Sequence, residues 1–227
     1  AITGTLLYGA IERKFNSTFV EGVGFSRLNL GFNELGNANE RNASSFSSRE
    51  ALNYQMARIN YKFDDKYLLT ATARRDGFSG FSKNYKSAIF PTAAIGWIIS
   101  SENFMRNVKP VNFLKLRVGY GVSGNQTSAL SSLALVDVNA AYIFGNNGAT
   151  AFGQQVSSLG NDNLRWERTI GVNVGLDFTM FNNRLTGNVE YYDNNTFDLL
   201  FDVPVPSMTG FGSIRSNLGQ INNKGLE

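Results

Sequence analysis

Cysteine and histidine are both absent from this sequence of 227 residues. Without cysteine, the chain by itself offers no disulfide framework, no zinc-finger spacing and no thiol nucleophile. Without histidine it offers no Ser-His-Asp triad, and no set of carboxylates converges in the sequence to replace one. We therefore predict that the protein is not an enzyme, and we identify no catalytic, cofactor-binding or metal-binding residue.

Charge and long hydrophobic runs are also scarce. Charged residues make up 17% of the chain, the formal net charge is +3 and no run of lysine or arginine is present, which argues against a nucleic-acid partner. No apolar stretch approaches the roughly 18 residues of a membrane-spanning helix, and no charged start followed by an apolar segment indicates a signal peptide. Two classes remain: a soluble protein, and a β-barrel that crosses a membrane with strands, each of which gives a much weaker signal.

The residues that are abundant favour strands. Hydrophobic residues are 42% of the chain and include 18 Phe and nine Tyr, and the chain has 23 Gly but only four Pro. This composition is typical of many strands joined by glycine-containing loops, and it argues against disorder. The length allows one large all-β domain or two small domains.

The clearest pattern is an alternation of period two in residues 57–74. Its apolar positions are Ala57, Ile59, Tyr61 and Phe63 and, after a polar turn at 64–66, Tyr67, Leu69, Ala71 and Ala73. Its polar positions are Arg58, Asn60, Lys62, Thr70, Thr72 and Arg74. Because successive side chains point to opposite faces of a strand, the pattern predicts a hairpin with one apolar face and one face that carries cations.

The same alternation returns along the chain and predicts about eight strands. Besides the hairpin, the predicted strands cover residues 1–14, 91–99, 113–122, 166–178, 185–192 and 214–227. Residues 15–50, 77–88, 123–165 and 201–213 are predicted as long loops, 101–112 as an intermediate connection, and 64–66 and 181–184 as tight turns. Long and short connections in alternation indicate antiparallel up-and-down strands, with long loops on one rim and short turns on the other.

This asymmetry is typical of outer-membrane β-barrels, which have short periplasmic turns and long extracellular loops. In such a barrel the apolar faces contact lipid and the polar faces line a wet lumen, because an arginine or lysine facing lipid near the midplane costs about 2–4 kcal/mol. The predicted lumen-facing residues are Arg58, Asn60, Lys62, Arg74, Lys115, Arg117, Asn173 and Glu190. An aromatic girdle near the short-turn rim is predicted from Phe63, Tyr67, Phe113, Phe178 and Phe181.

Aromatic residues in or beside the longest loop are candidates for ligand contact, because their rings can stack on sugar rings. These candidates are Tyr142, Phe144, Phe152 and Trp166. Packing of the loop onto itself is the alternative role for such aromatics.

Period two alone does not separate a barrel from a soluble β-sandwich, in which the apolar faces form a closed core. Loops of about 40 residues fit poorly in a sandwich and favour the barrel. The stretch Gly119–Gly124 matches the G-x-G-x-x-G pattern of dinucleotide sites. However, Lys115 and Arg117 in the strand before it are incompatible with the buried parallel strand that such a site requires.

Six stretches share more than a periodicity with known proteins. They are Tyr67–Gly77, Phe90–Trp97, Leu114–Asn125, Asn163–Glu167, Phe181–Gly187 and Asn222–Glu227. In their residues and in their order along the chain they resemble strands of SusC/RagA-type TonB-linked outer-membrane proteins. The chain departs from this family at Gly80, where the family often has arginine.

The resemblance implies that residues 1–227 are part of a TonB-dependent receptor β-barrel domain, with the plug and the remaining strands absent. It implies a place in the cell outer membrane, import of oligosaccharides or peptides, and no cofactor. The implied partners are outer-membrane lipids, a SusD-like lipoprotein and, through the missing N-terminal part, the TonB complex. Two other functions stay open: a small outer-membrane barrel with a structural or surface-binding role, and a soluble carbohydrate-binding β-domain.

Overall fold

The computed structural model of the chain describes residues 1–27, 29, 31–143, 148 and 150–227, with only the backbone of Gly31 and Asn139. Its strands are β1 Ile2–Val23, β2 Glu40–Phe63, β3 Tyr67–Phe78, β4 Ser87–Ile98, β5 Val111–Asn125, β6 Leu135–Ile143, β7 Thr150–Ser158, β8 Glu167–Met180, β9 Leu185–Phe197, β10 Leu200–Pro204, β11 Ser213–Asn217 and β12 Gln220–Leu226. Short 3-10 helices cover Gly31–Asn37, Ile99–Ser101, Asn103–Met105 and Ser207–Thr209. None of the helical segments in the described ranges has the length and hydrophobicity needed to cross a membrane.

The described residues form one main antiparallel sheet of eight strands in the order β1-β2-β3-β4-β5-β8-β9-β12. Each strand pairs with the next strand of this order, so the chain runs up and down as the sequence predicts. Strands β1 and β12 are the two edges, and the sheet does not close on itself within the described residues. Two ribbons, β6-β7 and β10-β11, extend from the long-loop rim.

The register confirms the predicted division of the sheet into two faces. Tyr61, Leu69, Ile95, Val118, Val174 and Tyr191 follow one another across six strands on the apolar face. This face is uncovered: Ile59 is 58% exposed, Leu69 43% and Ile95 59%. A β-sandwich would bury these side chains, so that alternative does not fit, and the apolar face remains free to contact lipid.

One predicted loop is shorter than expected because both of its ends belong to polar strands. Residues 15–50 were predicted as a connection, yet β1 runs to Val23 and β2 begins at Glu40. Polar pairs cross between the two strands: Arg13 to Glu50 at 2.8 Å, Arg49 to Glu12 at 2.7 Å and the Ser47 hydroxyl to Asn16 at 2.8 Å. Backbone hydrogen bonds form whatever the side chains are, so strands without an apolar face carry no alternation to detect.

The other two corrections concern loops with strands of their own. The loop predicted at 123–165 contains the ribbon β6-β7, and the loop predicted at 201–213 contains all of β10 except its first residue and the first residue of β11. The strand predicted at 214–227 divides into β11 and β12 near Gly219, whose φ of +82° suits glycine but strains other residues. These ribbons pair with themselves and not with the main sheet.

A compact hydrophobic cluster lies where the main sheet meets its long loops. Its buried members are Phe78, Phe81, Phe90, Leu164 and Trp166. Their rings contact mostly edge to face, with centroids 4.9–6.4 Å apart. The cluster joins the ends of β3 and β4 to the segments 79–86 and 159–166, and it therefore fixes the positions of these loops.

Candidate functional site

The register brings the predicted lumen-facing residues onto one polar face. One row across the sheet contains Thr3, Asn60, Thr70, Ala94, Gly119, Asn173 and Tyr192. The next row contains Thr5, Arg58, Thr72, Thr92, Gly121, Gly171 and Asn194. Residues far apart in the sequence thus line a single polar surface, opposite the apolar face.

Arg117 on β5 lies at the centre of the best-connected polar group on this face. Its guanidinium donates two hydrogen bonds to Asp177, at 2.9 and 3.0 Å, and one to Glu190 at 3.2 Å. The Asn173 amide donates to the other Glu190 oxygen at 3.0 Å. The side chains of Arg117, Asp177 and Glu190 retain between 24% and 35% of their exposure, so the network is reachable from the open side of the sheet.

Glycines allow these long polar side chains to lie flat against the sheet. A Cβ atom on Gly175 would lie 2.8 Å from Arg117 Nη2, and a Cβ on Gly119 would collide with the Asn173 amide. Gly171 lies in the same way beneath Asn194. Gly119 and Gly171, together with Gly121, line a groove along the polar face.

The groove has a volume of about 680 Å³. Its polar lining includes Thr70, Thr92, Ser123, Thr169, Asn173, Glu190, Tyr192, Asn194 and Asn223. Apart from the carboxylates of Glu190 and of Glu227, which also lines the groove, these are hydroxyl and amide groups, which donate and accept hydrogen bonds without carrying charge and suit neutral polar ligands. The sequence prediction omitted Tyr192 and Asn194, although both continue the alternation of Glu190.

Of the remaining basic residues on this face, Arg58 and Lys62 make only single contacts with neighbouring side chains in the described ranges. Arg58 donates to the Thr72 hydroxyl at 3.1 Å, the Thr70 hydroxyl donates to Asn60 at 2.9 Å, and Lys62 forms an exposed ion pair with Asp65 at 2.7 Å. None of these contacts is a network.

Arg74 is held more firmly, towards the long-loop rim. It donates to both Asp76 carboxylate oxygens at 2.8–3.0 Å, and its guanidinium carbon lies 4.5 Å from the centre of the Tyr54 ring. Lys115 lies against Gly96 on the neighbouring strand. The charged candidates are thus distributed along the face rather than gathered at one point.

The four candidate loop aromatics do not form one stacking surface. Trp166 is only 5% exposed, packs in the hydrophobic cluster and donates to the Lys86 carbonyl at 3.4 Å, so its position favours a packing role. Tyr142 pairs with Ala151, next to Phe152 in the β6-β7 ribbon, which places the Tyr142 and Phe152 side chains on opposite faces. Phe144 lies outside the described residues.

A second polar cluster lies at the short-turn rim. The Glu102 carboxylate accepts hydrogen bonds from the Tyr67 hydroxyl at 2.7 Å and from the Trp97 indole at 3.1 Å, and Lys66 lies 3.4 Å away. These donors, the Tyr67 hydroxyl first, hold the pKa of Glu102 below its ordinary value. Tyr67 also stacks on Phe63, with ring centres 6.2 Å apart, so two of the aromatics predicted for the girdle are in contact at this rim. Phe113 departs from that prediction, because it pairs with Thr179 and lies with Lys115 and Arg117 on the polar face.

In the described part of the chain, Asp and Glu do not form a group of three or more that could hold a metal ion. The polar face combines hydrogen-bonding groups, the ionic network of Arg117 and glycines that lie beneath the polar side chains. Its opposite side is apolar and exposed.

Comparisons with known proteins agree with this description. The sequence profile of the family described as "TonB dependent receptor-like, beta-barrel" matches residues 1–227. TonB-dependent receptor P26 of Formosa agariphila is 39% identical over 230 residues, which covers 98% of this chain and 23% of that protein. TonB-dependent receptor SusC of Bacteroides thetaiotaomicron is 35% identical over 226 residues, which covers 98% of this chain and 22% of that protein.

A solved structure shows the same architecture. The RagAB peptide transporter superposes with a TM-score of 0.81 at 28% identity, over 99% of this chain and 25% of the matched chain. The chain therefore spans about a fifth to a quarter of the length of these relatives.

Proposed function

Because the chain belongs to the TonB-dependent receptor-like β-barrel family, we propose that it forms one part of the wall of an outer-membrane importer of oligosaccharides or peptides. In this proposal residues 1–227 are a partial barrel domain, and the plug and the remaining strands belong to the rest of the protein. The observation that carries the proposal is the contrast between the two faces of the main sheet. One face is apolar and uncovered, and the other combines the Arg117 network with the glycine-floored groove.

Cargo and partners follow from the relatives and from the groove. SusC and the RagAB peptide transporter support a TonB-driven importer that works with a SusD-like lipoprotein. The hydroxyl and amide groups of the groove match the neutral hydrogen-bonding groups that sugars and peptide backbones share. The parent protein is thus proposed to be a transporter and not an enzyme.

The role proposed for Arg117 is to keep charged groups on the lumen wall paired and hydrated. The Arg117 guanidinium pairs with both Asp177 and Glu190, so removing it would leave two carboxylates close together without a cation. Hydrogen bonds to charged groups contribute about 1.5–3 kcal/mol each. The wall around the groove would then carry a new negative field and rearranged side chains.

The test is uptake by the full-length transporter carrying Arg117→Ala, measured with a panel of labelled oligosaccharides and peptides. We expect uptake of the transported cargo to fall about tenfold, which corresponds to about 1.4 kcal/mol. Arg117→Lys should restore part of the uptake, because it returns the charge without the two-point contact.

Arg106→Ala is the matched control, because Arg106 is an exposed cation in the connection 99–110, beyond the polar face. It should leave uptake at the parent level. Heat-modifiable gel mobility would verify that each variant assembles in equal amount. Uptake unchanged by Arg117→Ala for every cargo in the panel would contradict the role.

A further inference from the structure

The apolar face of β1–β4 contains two adjoining grooves, of which one is apolar and the other basic. The apolar groove, of about 520 Å³, is lined by Leu6, Tyr8, Ala57, Ala73, Arg75 and Ile89 among others. The basic groove, of about 670 Å³, begins at the same Tyr8 and Arg75 and continues past Asn53 to Lys83 and Lys86. The two therefore form one channel along the strands.

Residue size explains why a channel exists here. Three successive rows cross the channel: in the first, Ala57 and Ala73 lie between the larger Leu6 and Pro91, and in the third, Gly77 has no side chain. The rows are Leu6–Ala57–Ala73–Pro91, Tyr8–Gln55–Arg75–Ile89 and Ala10–Asn53–Gly77–Ser87. The floor at Ala57, Ala73 and Gly77 is low, so the channel runs from the apolar band towards the long-loop rim.

The basic groove has an excess of positive charge. Arg75 donates only to neutral groups, the Gln55 amide oxygen at 3.3 Å and the Ser87 hydroxyl at 3.1 Å. In the described ranges no carboxylate lies within 4.0 Å of Arg75, Lys83 or Lys86. Glu12 also lines the groove, but its carboxylate is paired with Arg49 at 2.7 Å.

Backbone contacts hold the basic groove in place. The Lys86 carbonyl accepts hydrogen bonds from the Phe78 amide at 2.8 Å and the Trp166 indole at 3.4 Å. Ser79 is bound to Ala51 of β2 in both directions, each at 2.9 Å. The segment 79–86, which carries Lys83 and Lys86, is thus anchored to the sheet at both ends, and its Phe81 side chain is buried.

The depth of the channel in the membrane follows from the strands. Tyr67, Leu69, Ala71 and Ala73 form the apolar face of β3, and Arg75 is the first charged residue of that face towards the long-loop rim. Long loops of outer-membrane barrels are extracellular. Arg75, Lys83 and Lys86 therefore lie at the boundary between the outer hydrocarbon layer and its headgroups.

We propose that this channel binds a phosphorylated lipid of the outer leaflet. The cations of the basic groove take the phosphate, and the apolar groove takes an acyl chain beneath it. A lipid fits better than free phosphate because the apolar groove continues directly from Arg75, so a single molecule with a phosphate and an acyl chain contacts both grooves. The proposal relies on the outer-membrane placement of the barrel and not on its cargo.

The test uses the full-length transporter in nanodiscs and measures the binding of lipid A with its phosphates, of dephosphorylated lipid A and of inorganic phosphate. The variant is Arg75→Gln, Lys83→Gln and Lys86→Gln together. Each cation near an anionic headgroup contributes about fivefold in affinity, so we expect phosphorylated lipid A to bind about a hundredfold more weakly to the variant. Dephosphorylated lipid A should bind the parent as weakly as phosphorylated lipid A binds the variant.

The matched control removes three exposed cations from the other rim with Arg106→Gln, Lys109→Gln and Arg184→Gln, and should bind lipid A as the parent does. Ala57→Leu with Ala73→Leu fills the apolar groove without adding charge, and should weaken lipid A binding.

Equal binding of lipid A to the parent and the triple cation variant, or equal binding of the two lipids to the parent, would overturn the proposal. Inorganic phosphate bound as tightly as lipid A would indicate an anion site instead, and unchanged binding in the leucine variant would refute the acyl-chain groove. No arm measures uptake, so these results and the transport test fail independently.

Discussion

At the residue scale, the polar face depends on glycines that lie beneath polar side chains of the next strand. Gly175 beneath Arg117 and Gly119 beneath Asn173 are the clearest cases. A larger residue at either position would lift the side chain above it off the sheet and narrow the groove. Glycine weakens a strand by roughly 0.5–1 kcal/mol relative to alanine, so its repeated use here fits a surface shaped for contact rather than for stability.

Glu102 gives a pH-dependent prediction at this scale. Its pKa is lowered by the hydrogen bond from Tyr67, by that from Trp97 and by Lys66. A lowered pKa means that the folded state prefers the ionised carboxylate. The contribution to stability is therefore present above the ordinary glutamate pKa of about 4.3 and is lost as the pH falls through the lowered value.

We expect Glu102→Gln to lower the unfolding temperature of the full-length barrel at pH 7 and to reduce the loss of stability on acidification below about pH 4.3. Heat-modifiable mobility, recorded as a function of temperature at several pH values, measures both effects. Glu34→Gln is the control, because Glu34 is an exposed carboxylate in the connection 24–39, far in the sequence from Glu102. Parallel pH profiles for the parent and Glu102→Gln would show that the Tyr67 and Trp97 contacts do not stabilise the rim.

At the scale of single elements, β3 has one apolar face and one polar face. Ala71 pairs with Ile59 and Ala93 on the apolar face, while Thr72 pairs with Arg58 and Thr92 on the polar face. The two residues are neighbours in the sequence and so lie at nearly the same depth. An arginine at one position would therefore point to the opposite face from an arginine at the other.

We therefore expect Ala71→Arg to damage membrane assembly much more than Thr72→Arg. The first substitution turns a guanidinium towards lipid near the midplane, at about 2–4 kcal/mol, and the second turns it towards water. The measurement is the fraction of folded, heat-modifiable barrel in isolated outer membranes. Equal damage by both substitutions would contradict the assignment of the two faces.

At the scale of the whole molecule, the main sheet is open: within the described part of the chain, its edge strands β1 and β12 each pair on one side only. Unpaired edges of long strands bind other strands, and closed barrels have none. The relatives are four to five times longer than this chain.

We expect residues 1–227, produced alone in detergent, to associate into mixed oligomers without a heat-modifiable band. The physical reason is that an eight-stranded open sheet satisfies its edge hydrogen bonds only through another chain. Size-exclusion chromatography with gel mobility would record the outcome. A monodisperse, heat-modifiable monomer would instead support the alternative of a small self-closed barrel.

The sequence by itself determined the two faces, the tight turns at 64–66 and 181–184 and the up-and-down order of the strands. These features depend on neighbours in the chain: side chains alternate with period two, and polar turns such as 181–184 adopt the positive φ that the structure shows at Asn182 and Asn183. Each of the eight strands of the main sheet overlaps a strand predicted from the sequence. The polar halves of β1 and β2 were not predicted, because only backbone pairing defines them.

Tertiary structure alone decided which residues share a site. Trp166 could stack on a ligand or pack in a core, and its contacts with Phe78, Phe81 and Phe90 place it in the hydrophobic cluster. Arg117 gained Asp177 and Glu190 as partners, and Arg75 gained the groove that continues to Lys83 and Lys86. These arrangements join segments far apart in the chain, and they depend on strand register and on how the loops fold back, which no local periodicity contains.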